Sequence, residues 1–89
     1  IPTDSILYLE AVGLRHTLQM HLDNELLEFN SSLDHFAQQL GEGFWRCHRS
    51  FLVNRSRIRA VHLKEQTVEL DNGETCLMSR KAKSEYRAE

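Results

Sequence analysis

The sequence predicts a small, mostly β domain with one or two short helices. Short apolar segments separated by turn residues fill most of the chain, and helical spacing of apolar residues is confined to one internal stretch. With 89 residues, of which 40% are hydrophobic and 27% are charged, the chain matches one globular domain, residues 1–89, and not a disordered tail. A membrane-spanning helix needs about 20 apolar residues, and no apolar run in the chain approaches that length. No membrane partner is expected.

The first predicted elements are two strands and a hairpin. Residues 6–12 are apolar and β-prone until Gly13 interrupts them, and residues 17–22 alternate apolar and polar side chains, as in a strand with one buried face. Asp23-Asn24 predicts a two-residue turn to a third strand. The pairs that this register places on one face are Met20 with Leu27 and Leu18 with Phe29.

A short helix at about residues 32–40 is predicted to interrupt the strands. Its apolar residues fall at helical spacing, Gly41 follows as a stop signal, and Ser31 is the expected N-cap, with Asp34 three residues later as in a capping box. The strands predicted after this helix are residues 44–47, 51–54 and 58–64. The last of them breaks strict alternation, which indicates a β-bulge.

The C-terminal part predicts a second hairpin and a second short helix. Its two strands are residues 67–70 and 74–78. Asn72-Gly73 between them is typical of a two-residue type I′ turn, and that register places Cys76 on the face opposite Val68. Ser79 is a suitable N-cap for a last helix that extends to Arg87.

Charge is distributed unevenly along the chain, although the net charge is only −2. Residues 43–64 contain six basic and no acidic residues, whereas the rest of the chain contains five basic and thirteen acidic residues. Such a block creates a local positive field whatever the total charge is. Charge alone leaves open a nucleic-acid partner, an acidic protein partner and a solvated basic strand without a partner.

The residues suited to catalysis or metal binding do not form a recognisable site. His16 and His21 are five residues apart on a predicted strand and therefore point to opposite faces, and no metal-binding spacing occurs elsewhere. Cys47, His48 and Ser50 suggest a nucleophile and a base, but adjacent residues on an extended chain point apart. A hydrolase is thus the weakest of the functional hypotheses, and no enzyme activity, metal or cofactor is expected.

Residues 44–54, Phe-Trp-Arg-Cys-His-Arg-Ser-Phe-Leu-Val-Asn, combine donors suited to DNA with apolar anchors. This string resembles the signature of the LytTR DNA-binding domain. The resemblance extends over essentially the whole chain, with residues 6–10 at its start, Ile58-Arg59-Ala60-Val61 after the central string and Met78-Ser79-Arg80 near its end. Within the family, the chain is most similar to the accessory gene regulator type of response regulator from Gram-positive peptide quorum sensing.

The resemblance implies an elongated fold in which antiparallel sheets are layered and not closed into a barrel. It also implies a cytoplasmic transcription regulator of a two-component system, in which this domain follows a receiver domain. The domain would bind double-stranded promoter DNA through loops that enter successive major grooves. The implied targets are paired direct repeats bound by two copies, whereas the isolated domain is expected to be monomeric.

Individual residues take roles from this resemblance. The implied base-reading residues are His16, Arg49 and Lys81, and the implied phosphate contacts are Arg46, His48, Ser79 and Arg80. Arg49 stands where related sequences carry asparagine. Because asparagine suits adenine and arginine suits guanine, the preferred base at this position is open. The alternative from another functional class is a protein-interaction module that docks an acidic partner on the basic residues 44–64.

Cys47 and Cys76 support two interpretations that the sequence leaves open. In the first, both are reduced and buried as small hydrophobic residues, which is normal in the cytosol. In the second, they are a redox pair, and an intramolecular disulfide displaces residues 46–49 and weakens DNA binding. Basic neighbours of Cys47 are expected to favour its thiolate form and so to promote this reactivity.

Overall fold

The computed structural model describes residues 3–13 and 16–88, which form two antiparallel sheets and two helices. The helices are α1 (Leu33–Leu40) and α2 (Arg80–Ala88). The strands are β1 (Ile6–Val12), β2 (Thr17–Leu22), β3 (Leu26–Asn30), β4 (Phe44–His48), β5 (Phe51–Asn54), β6 (Ile58–His62), β7 (Thr67–Leu70) and β8 (Thr75–Leu77). Short 3-10 turns occupy Thr3–Ser5, Gly41–Gly43 and Arg55–Arg57. The predicted mostly β class is confirmed.

The elements stack in three layers. The large sheet has the strand order β3-β2-β1-β5-β4, and the small sheet has the order β6-β7-β8. Helix α1 packs on one face of the large sheet, above a core of Ile6, Leu9, Leu18, Met20, Leu33, Phe44 and Leu52. The small sheet and α2 cover the other face, above a core of Leu7, Tyr8, Trp45, Cys47, Val53, Val68, Leu70, Cys76, Met78 and Ala82. The molecule measures 32 × 25 × 22 Å, and the expected arrangement of layered antiparallel sheets is confirmed.

Strand β1 is apolar without alternation because both of its faces are covered. Leu7 belongs to the core between the sheets and Leu9 to the core under α1, and both are fully buried. Central strands with two covered faces have near-continuous apolar sequences. Each of these leucines contributes about 1.5–3 kcal/mol of burial free energy, so β1 stabilises both layers at once.

The first hairpin has the register that the sequence predicts. Leu18 lies opposite Phe29 and Met20 opposite Leu27. The Leu22 N–H donates to the Glu25 carbonyl at 2.9 Å, which closes a two-residue turn at Asp23-Asn24. The bulge expected in the strand after residue 58 is also present, between Ile58 and Ala60 of β6.

The N-cap of α1 is Ser32, and the prediction of Ser31 is wrong by one residue. The His35 N–H donates to the Ser32 hydroxyl at 3.1 Å. The Ser31 N–H instead donates to the His16 carbonyl at 2.7 Å. Residue 31 is therefore tied to the chain entering β2, and the helix begins one residue later than its sequence pattern indicates.

The second hairpin also differs from its prediction by one residue. The Leu70 N–H donates to the Glu74 carbonyl at 2.8 Å, so the loop comprises three residues, 71–73, and not two. Gly73 has a φ of 93°, as expected for the left-handed residue that ends a three-residue loop. The register consequently pairs Cys76 with Val68 across the two strands, so that both side chains lie on the same, buried face. The side chain of Leu77 is exposed. The predicted opposite faces for Cys76 and Val68 are wrong.

Candidate nucleic-acid interface

Four connections lie at the same end of the two sheets, which we call the loop end. They are the β1–β2 connection, the β4–β5 turn at Arg49-Ser50, the β6–β7 turn and the start of α2. Backbone hydrogen bonds join their neighbourhoods: Ala11 N–H to Ser50 O, Met78 N–H to Gln66 O and Ser79 N–H to Cys47 O, each at 2.8 Å. The three predicted base-reading residues all lie at this end, on separate segments.

His16 and Arg49 line one cleft at the loop end, with a volume of about 310 Å³. Arg46 lines the same cleft, together with Ser32 and Asp34 from the start of α1. The sequence did not indicate Asp34, because its approach to Arg46 joins two elements that are far apart along the chain. Lys81 is exposed in the first turn of α2 and is not part of the cleft lining. The structure thus brings two of the three predicted base-reading residues together.

The backbone of His16 is held in an unusual conformation. Its φ of 54° lies in the left-handed region, which histidine tolerates better than β-branched residues do. The 2.7 Å hydrogen bond from Ser31 to its carbonyl ties the residue to the segment before α1. The His16 side chain itself is exposed. A constrained backbone therefore presents an exposed imidazole in the lining of the cleft.

Arg49 is exposed at the tip of the β4–β5 turn. Among residues 3–13 and 16–88, no carboxylate forms an ion pair with its guanidinium. A free guanidinium offers two parallel N–H groups, the geometry that fits the major-groove edge of guanine. Arg49 is therefore available for an external acceptor.

A hydrogen bond from the adjacent turn to His48, the last residue of β4, determines which of its two ring nitrogens accepts. The Ser50 N–H donates to His48 Nδ1 at 3.1 Å, so Nδ1 is an acceptor and the neutral ring carries its proton on Nε2. The ring also packs edge-on against Phe51, with 5.7 Å between centroids. This half-buried imidazole therefore holds one fixed tautomer whose Nε2–H is a donor.

The guanidinium of Arg46 is occupied by acceptors from its own chain. It donates from Nε to the His48 carbonyl at 3.2 Å, from Nη2 to the Arg49 carbonyl at 2.8 Å and from Nη1 to Asp34 Oδ1 at 2.6 Å. Arg46 is only partly exposed, whereas Asp34 is largely exposed. Arg46 thus joins strand β4, the β4–β5 turn and the first turn of α1.

Helix α2 begins at the loop end with the predicted cap. The Ala82 N–H donates to the Ser79 hydroxyl at 3.0 Å, which confirms Ser79 as the residue that caps this helix. Arg80 and Lys81 follow in the first turn, and both are exposed. Backbone N–H groups at a helix start favour anions, and these two cations add to that preference.

The basic residues 43–64, from which the charge count predicts a local positive field, do not form one positive face. Arg57 lies at the opposite end of the sheets, where it pairs with Asp23 at 2.6 Å and Asp71 at 2.7 Å. Arg59 pairs with Glu69 on the small sheet. Half of the six basic side chains, counting Arg46, are offset by the chain's own carboxylates. Hydrogen bonds from Arg57 hold the pKa of Asp71 below its usual range.

Both cysteines are buried in the core between the sheets. The Cys47 thiol donates to the Leu77 carbonyl at 3.3 Å. Burial raises the pKa of Cys47 to about 12, although Arg46 acts in the opposite direction. Burial, and the neighbouring Cys47, likewise raise the pKa of Cys76. The expectation that basic neighbours activate Cys47 is therefore wrong, because desolvation outweighs their charge.

The described part of the chain has neither a cluster of metal ligands nor a membrane-spanning helix. No three histidine, cysteine, aspartate or glutamate side chains there lie close enough together to hold a metal ion. Neither helix is long and apolar enough to cross a membrane.

Comparisons with known proteins identify two curated relatives of this chain. The accessory gene regulator protein A of Staphylococcus epidermidis is 43% identical over 76 residues, which cover 85% of this chain and 32% of that protein. The protein of the same name from Staphylococcus aureus is 41% identical over 76 residues, with the same coverage. The chain thus spans about a third of the length of these curated relatives.

A solved structure and a family model identify the fold. The LytTr DNA-binding domain of a Bacillus cereus response regulator superposes with a TM-score of 0.84 at 29% identity, covering 99% of this chain and 83% of that one. The model of the LytTr DNA-binding domain family matches residues 1–88. The resemblance that residues 44–54 indicated is confirmed. This chain belongs to the LytTr family of DNA-binding domains.

Proposed function

We propose that this domain binds double-stranded DNA sequence-specifically, as part of a transcription regulator in a two-component, peptide quorum-sensing system. One observation carries the proposal above all. Arg49 extends from the tip of a turn, has no ion pair among the described residues and lines a cleft with His16. An exposed arginine without a carboxylate partner beside an exposed histidine is a set of donors that lacks an acceptor. Base edges and phosphates supply such acceptors.

In this proposal, loops of the domain contact successive major grooves of the DNA. The β1–β2 connection, the β4–β5 turn and the start of α2 supply separate reading segments at one end. In this proposal His16, Arg49 and Lys81 contact bases, with guanine preferred by Arg49. The proposed phosphate contacts are His48, Ser79 and Arg80, whereas Arg46, which the resemblance also implied as a phosphate contact, already donates to acceptors of its own chain.

The larger assembly follows from the small footprint and from the length of the relatives. The chain covers 32% of the accessory gene regulator proteins, which leaves space for a receiver domain before it. We propose that residues 1–89 are the C-terminal DNA-binding domain of such a cytoplasmic regulator. One copy spans about one turn of DNA, so adequate specificity requires two copies on paired direct repeats. The isolated domain is proposed to be monomeric, with dimers formed only on DNA.

Two alternatives receive less support. Docking of an acidic protein on residues 44–64 needs a continuous positive face, and Arg46, Arg57 and Arg59 already pair with the chain's own carboxylates. A hydrolase needs an accessible nucleophile beside a base. Cys47 is buried and its thiol is bonded to a backbone carbonyl, and His48 Nδ1 accepts the backbone N–H of Ser50 and not its hydroxyl. We propose no catalytic role for these residues.

Selection of bound sequences from random DNA tests the proposal. Enrichment of one motif, and two such motifs in direct repeat for the full-length regulator, is the expected result. Affinity for the enriched site should fall steeply with salt, with a slope of about −0.9 for each phosphate contacted. Equal affinity for unrelated competitor DNA, or binding that is indifferent to salt, would contradict sequence-specific DNA binding.

A further inference from the structure

We propose that Arg46 is a positioning residue that sets the direction of Arg49 and thereby the base preference of the β4–β5 turn. The inference rests on the proposed function, because it assigns Arg49 to base reading. It differs from a phosphate contact at Arg46, which would add affinity without sequence preference. The two roles predict different responses to the same substitutions.

The first support is that two guanidinium nitrogens of Arg46 donate to backbone carbonyls at the β4–β5 turn. Nε donates to the His48 carbonyl and Nη2 to the Arg49 carbonyl, at 3.2 and 2.8 Å. These carbonyls lie on successive residues at the start of the two-residue turn. The β4–β5 register shifts between Trp45 and His48, so the strand ladder is interrupted beside the turn. Arg46 supplies donors where the ladder supplies no regular pairing, and it holds the backbone from which Arg49 extends.

The second support is the third bond, from Nη1 to Asp34 at 2.6 Å. Asp34 lies in the first turn of α1, which is anchored to the large sheet by the buried Leu33. The pair therefore anchors the guanidinium of Arg46 to a packed helix and not to another loop. The Asp34 side chain is 86% exposed and the Arg46 side chain 36% exposed, so Asp34 also places negative charge on the cleft. That charge offsets much of the attraction that Arg46 would have for a phosphate.

The chemistry of arginine explains why a simple cation is not sufficient here. The guanidinium is planar, and its N–H groups diverge in fixed directions, so one side chain reaches three acceptors at once. A lysine at the same place keeps the positive charge but has a single nitrogen on a flexible stem. Arg46→Lys therefore separates charge from geometry, which is the distinction that the inference needs.

The experiment measures the affinity ratio between the preferred site and a site altered at the base read by Arg49. We expect Arg46→Lys to lower this ratio about tenfold, which lies within the range that one bidentate base contact supplies. The slope of log affinity against log salt concentration should change by less than the about 0.9 that one phosphate contact contributes. In an Arg49→Ala background, Arg46→Lys should have no further effect on the ratio, since the two residues act as one unit. Fluorescence of Trp45, the only tryptophan, verifies that each variant is folded.

A second variant keeps the inference testable if Arg46→Lys does not fold. Asp34→Ala removes an exposed side chain without touching the core, and we expect it to lower the same ratio about threefold while raising affinity for all DNA. Asp34→Asn retains an oxygen acceptor and is the matched control, with the ratio kept within about twofold. Full discrimination in Arg46→Lys or in Asp34→Ala would overturn the positioning role. A wild-type domain without any sequence preference would instead overturn the proposed function.

Discussion

The ring of Trp45 on β4 stacks against the ring of Tyr86 on α2, with 5.8 Å between centroids and 27° between planes. Arg55 lies over the same indole, with its guanidinium carbon 5.7 Å from the ring centroid. The contact fixes the C-terminal part of α2 to β4, the strand that leads into the β4–β5 turn. The orientation of α2, and with it the position of Lys81, therefore depends on a residue far from the loop end.

Replacing Tyr86 should weaken DNA binding without removing any DNA contact. Tyr86→Ala loses an aromatic pair worth about 0.5–1.5 kcal/mol beyond its buried area, so α2 should dock less firmly. We expect a lower melting temperature, altered Trp45 fluorescence and reduced affinity for the preferred site. Tyr86→Phe keeps the ring and is the control, with all three properties near those of the wild type. Unchanged fluorescence in Tyr86→Ala would show that the stacking is absent in solution.

Arg49→Ala should relax the preference for one base. A bidentate arginine–guanine contact contributes about 1–3 kcal/mol of discrimination, and its loss should appear at a single position of the site. Arg49→Asn is expected to shift that preference from guanine toward adenine. Competition binding against sites that carry each of the four bases measures both effects.

The matched control for Arg49 is Arg59, an exposed arginine that pairs with Glu69 on the small sheet. Arg59→Ala removes the same formal charge, and it should leave the base preference unchanged. Any loss of affinity in this control should be similar for all sequences. Equal discrimination by the wild type and Arg49→Ala would show that Arg49 does not read a base.

The ion pairs of Arg57 should make part of the stability depend on pH. Hydrogen bonds from Arg57 lower the pKa of Asp71, so the folded state favours its carboxylate relative to the unfolded chain. This stabilisation is fully present above the unfolded pKa of aspartate, about 3.9, and is lost as pH falls through the lower folded pKa. Asp71→Asn should accordingly reduce the free energy of unfolding at pH 7, and the difference should shrink in strong acid.

Urea unfolding of both proteins at a series of pH values measures this effect. Glu65→Gln is the control, because Glu65 is exposed and has no ion pair within the described part of the chain. It should leave the pH dependence unaltered. A constant difference between wild type and Asp71→Asn from pH 7 into strong acid would contradict the assigned role of the pair.

The sequence predicted features set by local chemistry and missed those set by distant partners. The Asp23-Asn24 turn was correct because turn length and apolar alternation on both strands demand the same register. The loop at Asn72-Gly73 was predicted to have two residues and has three, since a glycine with positive φ suits loops of either length. The pairing of Arg57 with Asp23 joins residues that are 34 apart, and no local pattern indicates it. For that reason, the charge count did not show that carboxylates from elsewhere in the chain pair with Arg46, Arg57 and Arg59.

The buried positions of Cys47 and Cys76 predict low reactivity in the folded domain. Thiolate is the reactive form, and burial raises the pKa of Cys47 to about 12, so almost no thiolate exists near neutral pH. Iodoacetamide should therefore label both residues in urea within minutes and the folded domain far more slowly. Rapid labelling of the folded domain at pH 7 would contradict the burial of these thiols.

The hypothesis of a redox pair then acquires a structural requirement. A disulfide bond between Cys47 and Cys76 requires the Cys47 thiol to release the Leu77 carbonyl. Cys47 follows Arg46 on β4 and lies two residues before the β4–β5 turn, so its movement would disturb that turn. Where peroxide forms the bridge, as detected by mass spectrometry, we expect the bridged fraction to lose DNA affinity and to recover it on reduction. Cys47→Ser cannot form the bridge, and its DNA binding should be unaffected by the same treatment. A bridged domain that binds DNA as well as the reduced one would show that the disulfide leaves the β4–β5 turn in place, and the redox hypothesis would be wrong.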